Sequence, residues 1–170
     1  MLVRDVMSEP VPIEKRFRVL VEITRASHFA WREAALRLCP DLDAGQLVNE
    51  MWKITGEQTA EAYLERLDPD GDLPRQVAAS IAWSSQCMGE DADVEAGENP
   101  GDYFVTHVAC PWHRWHEKHG LLHEDRPGCD EWFRSMVATI NERLGRKLRF
   151  ETESALPDGA PRCRRRIWEE

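Results

Sequence analysis

The apolar repeat of this chain changes period once, and that change restricts what it can fold into. Across the first half the repeat is helical. "IEKRFRVLVEITRASHFAWREAALRLC" sets Phe17, Leu20, Val21, Thr24, Phe29 and Trp31 near one stripe, with a weak point at Ser27. "AGQLVNEMWKITGEQTAEAYLERL" repeats the pattern through Leu47, Met51, Ile54, Ala62 and Leu67, and "PRQVAASIAWSSQCMG" carries it through Val77, Ile81 and Met88. The breakers "CPDLDAG" and "DPDGDLP" separate the three helices. The acidic stretch "EDADVEAGENPGD" reads as a loop. Beyond it the apolar residues alternate. "DYFVTHVAC" is a strand with Tyr103, Val105, His107 and Ala109 on one face and Phe104, Thr106, Val108 and Cys110 on the other. "CDEWFRSMVATINERLG" is a helix burying Phe133, Met136, Val137 and Ile140, with Gly145 as its C-cap. "KLRFETESAL" and "RCRRRIWEE" are strands joined by the turn "PDGAP". Helices followed by strands predict an α+β fold, in which N-terminal helices pack on a small antiparallel sheet with one crossing helix. A chain of 170 residues is expected to form a single domain over 1–170, mainly helical over 1–90 and sheet-containing over 100–170.

The net charge of −9 argues against nucleic acid as the main partner, because phosphate binding needs a cationic surface. The basic cluster "RCRRR", Arg162 to Arg166, is expected to form a solvated face of an acidic protein. "MLVRDVMSEPVPIEKRF" lacks the apolar core of a secretory signal, and no stretch approaches the roughly 18 apolar residues of a membrane helix. The five cysteines are therefore expected as reduced thiols in a soluble, cytoplasmic protein. Cys39 and Cys87 fall in helical stripes and are expected in the core. A helical surface bearing Trp31 and Trp52 offers a site for a second copy.

Chemistry concentrates in "THVACPWHRWHEKHGLLHEDRPGC", which holds five of the six histidines and two of the five cysteines. Pro111 suits the first position of a helix that Gly120 ends. Cys110 then stands at the helix N-terminus, where the dipole and free N–H groups favour a thiolate, and His113 lies one turn on. Cys129 is expected at or just before the next helix start, and Cys163 on the last strand. An antiparallel sheet can bring the three thiols to one point. Cys110, Cys129 and Cys163, with a histidine or water as fourth ligand, match the needs of zinc or another transition metal. His107, Trp112 and Arg164 are the candidate substrate contacts, with Trp115 and Trp132 as further pocket walls and Arg162 and Arg166 as further cations. A weaker set of hard ligands is His28 with Glu33, or Glu50 with Glu57.

With these residues in view the chain resembles the L-2-amino-thiazoline-4-carboxylic acid hydrolase-like family of small bacterial and archaeal proteins. The likeness rests on "HFAWREAA", "EMWKITGEQTAEAYL", "CPWHRWHEKHG…C" and "LPDGAPRCRRRIW", spread over residues 28–168. The resemblance singles out Cys110, Cys129 and Cys163 and implies hydrolytic opening of a cyclic, amidine-like thiazoline. The histidine and tryptophan density of "PWHRWHEKH" departs from the family pattern. Two readings follow. In the first the chain is an enzyme hydrolysing a carbon–nitrogen bond of a small molecule. Its catalytic residues are Cys110, His113, Cys129 and Cys163, acting either through a Cys110 nucleophile with His113 as acid–base or through a thiolate-bound metal. In the second the same residues form the structural site of a non-catalytic metal- or ligand-binding module. A third, metal-free reading places function in an interface.

Overall fold

A computed structural model describes residues 10–170. Three helices come first: α1 (Ile13–Leu38), α2 (Ala44–Leu64) and α3 (Leu73–Cys87). Then follow β1 (Asp91–Ala96), β2 (Tyr103–Ala109), α4 (Pro111–His119), α5 (Leu122–Leu144), β3 (Leu148–Ser154) and β4 (Cys163–Glu169). The four strands form one antiparallel sheet in the order β1-β2-β4-β3. The fold is α+β, as the change of period predicts. Local chemistry sets the ends. Asp43 and Asp72 cap α2 and α3 by accepting from the backbone N–H of Gln46 and Arg75. Gly120 and Gly145 close α4 and α5 in the left-handed conformation, at φ 70° and 63°.

The core joins α2, α3 and α5 to the sheet through Ala60, Tyr63, Leu73, Val77, Ile81, Phe133, Met136, Ile140, Val105, Leu148 and Ile167. Helices α2 and α5 approach closely because each carries a glycine at the contact. A Cβ on Gly56 would overlap the Ser135 hydroxyl and lie 2.5 Å from the Trp132 carbonyl oxygen. A Cβ on Gly128 would overlap the Trp52 indole, 2.7 Å from its Nε1.

Several expectations are corrected here. Residues 91–96 form an edge strand rather than a loop, with only Ala92 buried; its acidic side chains face outward, so it carries no apolar alternation to betray it. Helix α5 starts at Leu122 and runs through Pro127, so Cys129 lies inside a helix and not at its start, and His123 belongs to the first turn. Helix α1 continues through Ser27 and buries Val21, Arg25 and Phe29, while Phe17, Leu20 and Trp31 stay 39%, 61% and 76% exposed. Its most apolar stripe thus points away from the core. Cys39 and Cys87 are exposed because both sit at helix ends. The "RCRRR" cluster is not wholly a solvated face, since Arg165 is buried. Among the described residues no helix is long and apolar enough to cross a membrane.

The α2–α5 contact generates a direct prediction. Gly56→Ala must push two helix backbones apart, and denaturant unfolding is expected to show a loss of about 1–3 kcal/mol without change of secondary structure.

Candidate functional site

The sheet register assembles one wall of the site. His107 on β2 is the partner of Cys163 on β4, so both project from the same face. Along β4 the buried positions are Cys163, Arg165 and Ile167. Alternation therefore sends Arg165 inward beside Cys163 and turns Arg164 to the other face. There Arg164 pairs with Glu153 and Glu95 and lies 3.4 Å over the Phe104 ring. The arginine of this strand that faces the cavity is Arg165, whose Nη2 donates to Cys129 Sγ at 3.1 Å and stands 3.5 Å from Asp130 Oδ1.

Helices α4 and α5 supply the second wall. Cys110 is the N-cap of α4, and Trp112, His113 and His116 follow on that helix. Asp125, one turn before Cys129 on α5, takes His113 Nδ1 at 3.1 Å and lies 3.7 Å from His116 Nδ1. The His116 Nδ1–H donates to the Trp112 carbonyl at 3.0 Å. Glu124 is held by Arg32 of α1 through a two-pronged ion pair. Helices α1 and α2 close the space with His28 and Trp52, whose rings are 5.4 Å apart and each about as far from Trp112. The cavity between them has a volume of about 770 Å³. It brings together Cys110, Cys129, Cys163, His107, Trp112, His113 and Trp132 from widely separated elements. Trp115 does not line it: that ring stacks on Phe29 and its N–H donates to Glu22.

Four residues of this site escaped the sequence reading. Glu90 follows α3, its side chain 10% exposed, with its Oε2 3.4 Å from His107 Nε2. Ser85 Oγ lies 3.0 Å from the same nitrogen. Asp125 and Arg165 complete the set. Arg165 was accessible from alternation with Cys163, but Glu90 and Asp125 sit in stretches without periodicity.

Burial governs the electrostatics. Desolvation raises the Glu90 carboxyl to about 7, although Arg25 and hydrogen bonds from Trp112 and Ser85 oppose it. The Cys110 thiol is pushed far above its ordinary value, first by burial and then by Glu90. This reverses the thiolate expected at the helix start: the His113 backbone N–H favours it, but burial and a carboxylate outweigh one helix end. Cys129 is raised to about 12 by burial against the pull of Arg165. His107 and His28 are lowered to about 4, chiefly by burial, and His116 is lowered for the same reason. At rest Cys110 and Cys129 keep their protons, His28, His107 and His116 are neutral, and Glu90 is poised near neutrality.

The donor set does not fit the expected metal. Cys110, Cys129 and Cys163 share the cavity, yet among the described residues no group of three or more His, Cys, Asp or Glu side chains is placed to hold an ion. The Arg165 guanidinium already stands on the Cys129 sulfur, and Cys163 Sγ accepts from the Leu156 N–H at 3.3 Å. A divalent cation there would meet a fixed positive charge.

Glu90 makes stability depend on pH. Its folded-state value lies above the unfolded 4.5, so its contribution is full below about 4.5 and is lost as pH rises to about 7. Compared by thermal or denaturant unfolding, Glu90→Gln is expected to gain on the wild type between pH 5 and pH 8, by up to about 3 kcal/mol.

Among the solved structures that share this fold are two that hold small molecules. A trafficking protein particle complex subunit 3 from Naegleria fowleri, covalently bound to palmitic acid, is 13% identical with a TM-score of 0.55, the match covering 90% of this chain and 96% of that one. The phenol-responsive sensory domain of the transcription activator PoxR, with phenol, is 13% identical with a TM-score of 0.54, covering 85% and 74%. No curated protein matches the chain. The model of the L-2-amino-thiazoline-4-carboxylic acid hydrolase family matches residues 21–167. That stretch carries all five helices' cavity-lining residues and both walls of the site, and the chain belongs to the L-2-amino-thiazoline-4-carboxylic acid hydrolase family.

Proposed function

We propose that the chain is a hydrolase that encloses a small molecule in the cavity and attacks the carbon of a C=N or C(=O)–N bond with Cys110. The observation that carries this reading is that a buried thiol and a buried carboxyl with complementary needs, Cys110 and Glu90, line one cavity. The thiol keeps its proton at rest, and a base with a value near 7 is suited to remove it only as the new bond forms. In the first step the Cys110 Sγ–carbon bond forms and Glu90 takes the thiol proton. Glu90 then passes that proton to the substrate nitrogen as the carbon–nitrogen bond breaks. Water next adds to the thioester- or thioimidate-like carbon and gives a proton to Glu90. The carbon–sulfur bond breaks and Glu90 returns the proton to Cys110. The negative charge developing on the substrate faces Arg165 and the N-terminal end of α4. His113, fixed on Asp125, is in this reading a positioning residue for the Cys110 turn rather than the base. The walls of Trp52, Trp112, Trp132 and Phe133 suit an apolar body on the substrate. The two proteins of like fold, with palmitic acid and phenol, accord with that choice.

A non-catalytic ligand-binding module is the second reading, and it draws on the raised thiols of Cys110 and Cys129. Turnover separates the two. With L-2-amino-thiazoline-4-carboxylic acid and simple cyclic amidines as substrates, Cys110→Ser is expected to lose about 10³-fold or more in kcat, and Glu90→Gln about 10²–10⁴-fold. The wild-type rate should rise with pH through about 7, because Glu90 acts in its ionised form. Binding without turnover in the wild type would favour the module.

A further inference from the structure

One buried cation takes no step in the chemistry assigned to Cys110 and Glu90. Arg25 on α1 is only 1% exposed. Its guanidinium touches three elements. Nη1 donates to Glu22 Oε1 at 2.9 Å, one turn back on α1. Nη2 donates to the Met88 carbonyl, just past the end of α3. The guanidinium carbon lies 5.6 Å from the centre of the Trp112 ring on α4. A cation buried this completely needs negative charge close by, and Glu22 is 56% exposed, so solvent screens much of what it offers.

The turn that Arg25 holds is the one that leads to Glu90. Helix α3 ends with the Gly89 N–H on the Gln86 carbonyl and the Glu90 N–H on the Ser85 carbonyl, at 2.9 Å and 3.0 Å. Gly89 takes the left-handed conformation there, at φ 74°. Helix α1 packs directly on this turn: a Cβ on Gly89 would stand 3.7 Å from both Val21 Cγ2 and Arg25 Nη2. Carbonyls at a helix C-terminus attract cations, which suits Arg25 to the Met88 oxygen. Around the Glu90 carboxyl stand Arg25 on α1, Tyr63 on α2, Ser85 on α3, His107 on β2, Cys110 and Trp112 on α4, Cys129 on α5 and Arg165 on β4. Only the two arginines among them are cations, since burial keeps His107 neutral. Arg165 is already shared between Asp130 and the Cys129 sulfur. Arg25 is the strongest influence opposing the desolvation of the carboxylate.

We propose that Arg25 is a positioning residue for Glu90: its bond to the Met88 carbonyl fixes the turn out of α3, and its charge favours the carboxylate form of the base. Arg25 does not line the cavity, so it acts through Glu90 and not on a substrate. Trp112 ties the pair to α4, with its ring toward Arg25 and its N–H on the Glu90 carboxyl. This role rests on Glu90 being the base for Cys110.

The test is a carbon-13 NMR titration of the glutamate carboxyls in the full chain, with the Glu90 signal assigned by its loss in Glu90→Gln. The wild-type midpoint is expected at about 7. Arg25→Met removes the cation and should raise that midpoint by about one pH unit or more, whereas Arg25→Lys keeps the charge and should leave it within about half a unit. Turnover should follow the same split. In Arg25→Met part of the rate lost at about pH 7 should return toward about pH 9, which a merely structural defect would not allow. In Arg25→Lys the rate should fall about tenfold at every pH, because an ammonium cannot reproduce the fork that spans Met88 and Glu22. A folded Arg25→Met with the wild-type midpoint would overturn the proposal, and so would Arg25→Lys at the wild-type rate. Where Arg25→Met fails to fold, hydrogen exchange at the Glu90 amide of Arg25→Lys decides: exchange about tenfold faster supports the clamp on the turn, and unchanged exchange refutes it. A raised midpoint in a chain that turns over no substrate would support the hold of Arg25 on Glu90 and count against Glu90 as the base.

Discussion

The close approach of α2 and α5 is the contact on which the site depends. It exists because Gly56 and Gly128 present bare backbone where any side chain would collide with Ser135, Trp132 or Trp52. Drawn together there, α2 delivers Trp52 to the cavity, and α5 presents Asp125, Cys129, Trp132 and Phe133 along one face. The sheet then has a defined layer to pack on, and His107, Cys163 and Arg165 project from it into the same space. Two glycines with no chemistry of their own thus determine where the reactive groups meet.

Burial sets the protonation of several side chains around the cavity. Burial costs a lone charge heavily, so His28, His107 and His116 stay unprotonated, Cys110 and Cys129 stay as thiols, and Glu90 hovers near neutrality. The charges that remain are matched: Arg32 with Glu124, and Arg165 with Asp130 beside the Cys129 sulfur. The cluster that suggests zinc in the sequence is, in three dimensions, a set of thiols around a guanidinium.

Much of the fold was legible along the chain. The helical stripes, the Gly120 and Gly145 stops and the alternation of β2 and β4 are local signals, each carried by a few neighbouring residues. The gathering of Cys110, Cys129, Cys163, His107, Trp112 and His113 around one cavity was also anticipated in outline. Where the sequence misled, a non-local force overrode a local one. Proline inside "HEDRPGC" suggests a break, yet packing against α2 holds α5 helical through it. The outward stripe of α1 is as apolar in sequence as a core face, so periodicity alone could not tell which side of the helix is buried.

Residue order by itself determined the element types, their succession and the parity of each strand, since those follow from side-chain periodicity and backbone preference. Parity already places Arg165, not Arg164, beside Cys163. Only the tertiary structure decided that Glu90, at an unmarked helix exit, stands against His107 and near Cys110, and that an arginine takes the place a metal would need. Those outcomes depend on distances between residues far apart in the chain and on the water removed between them, and neither is encoded in local spacing.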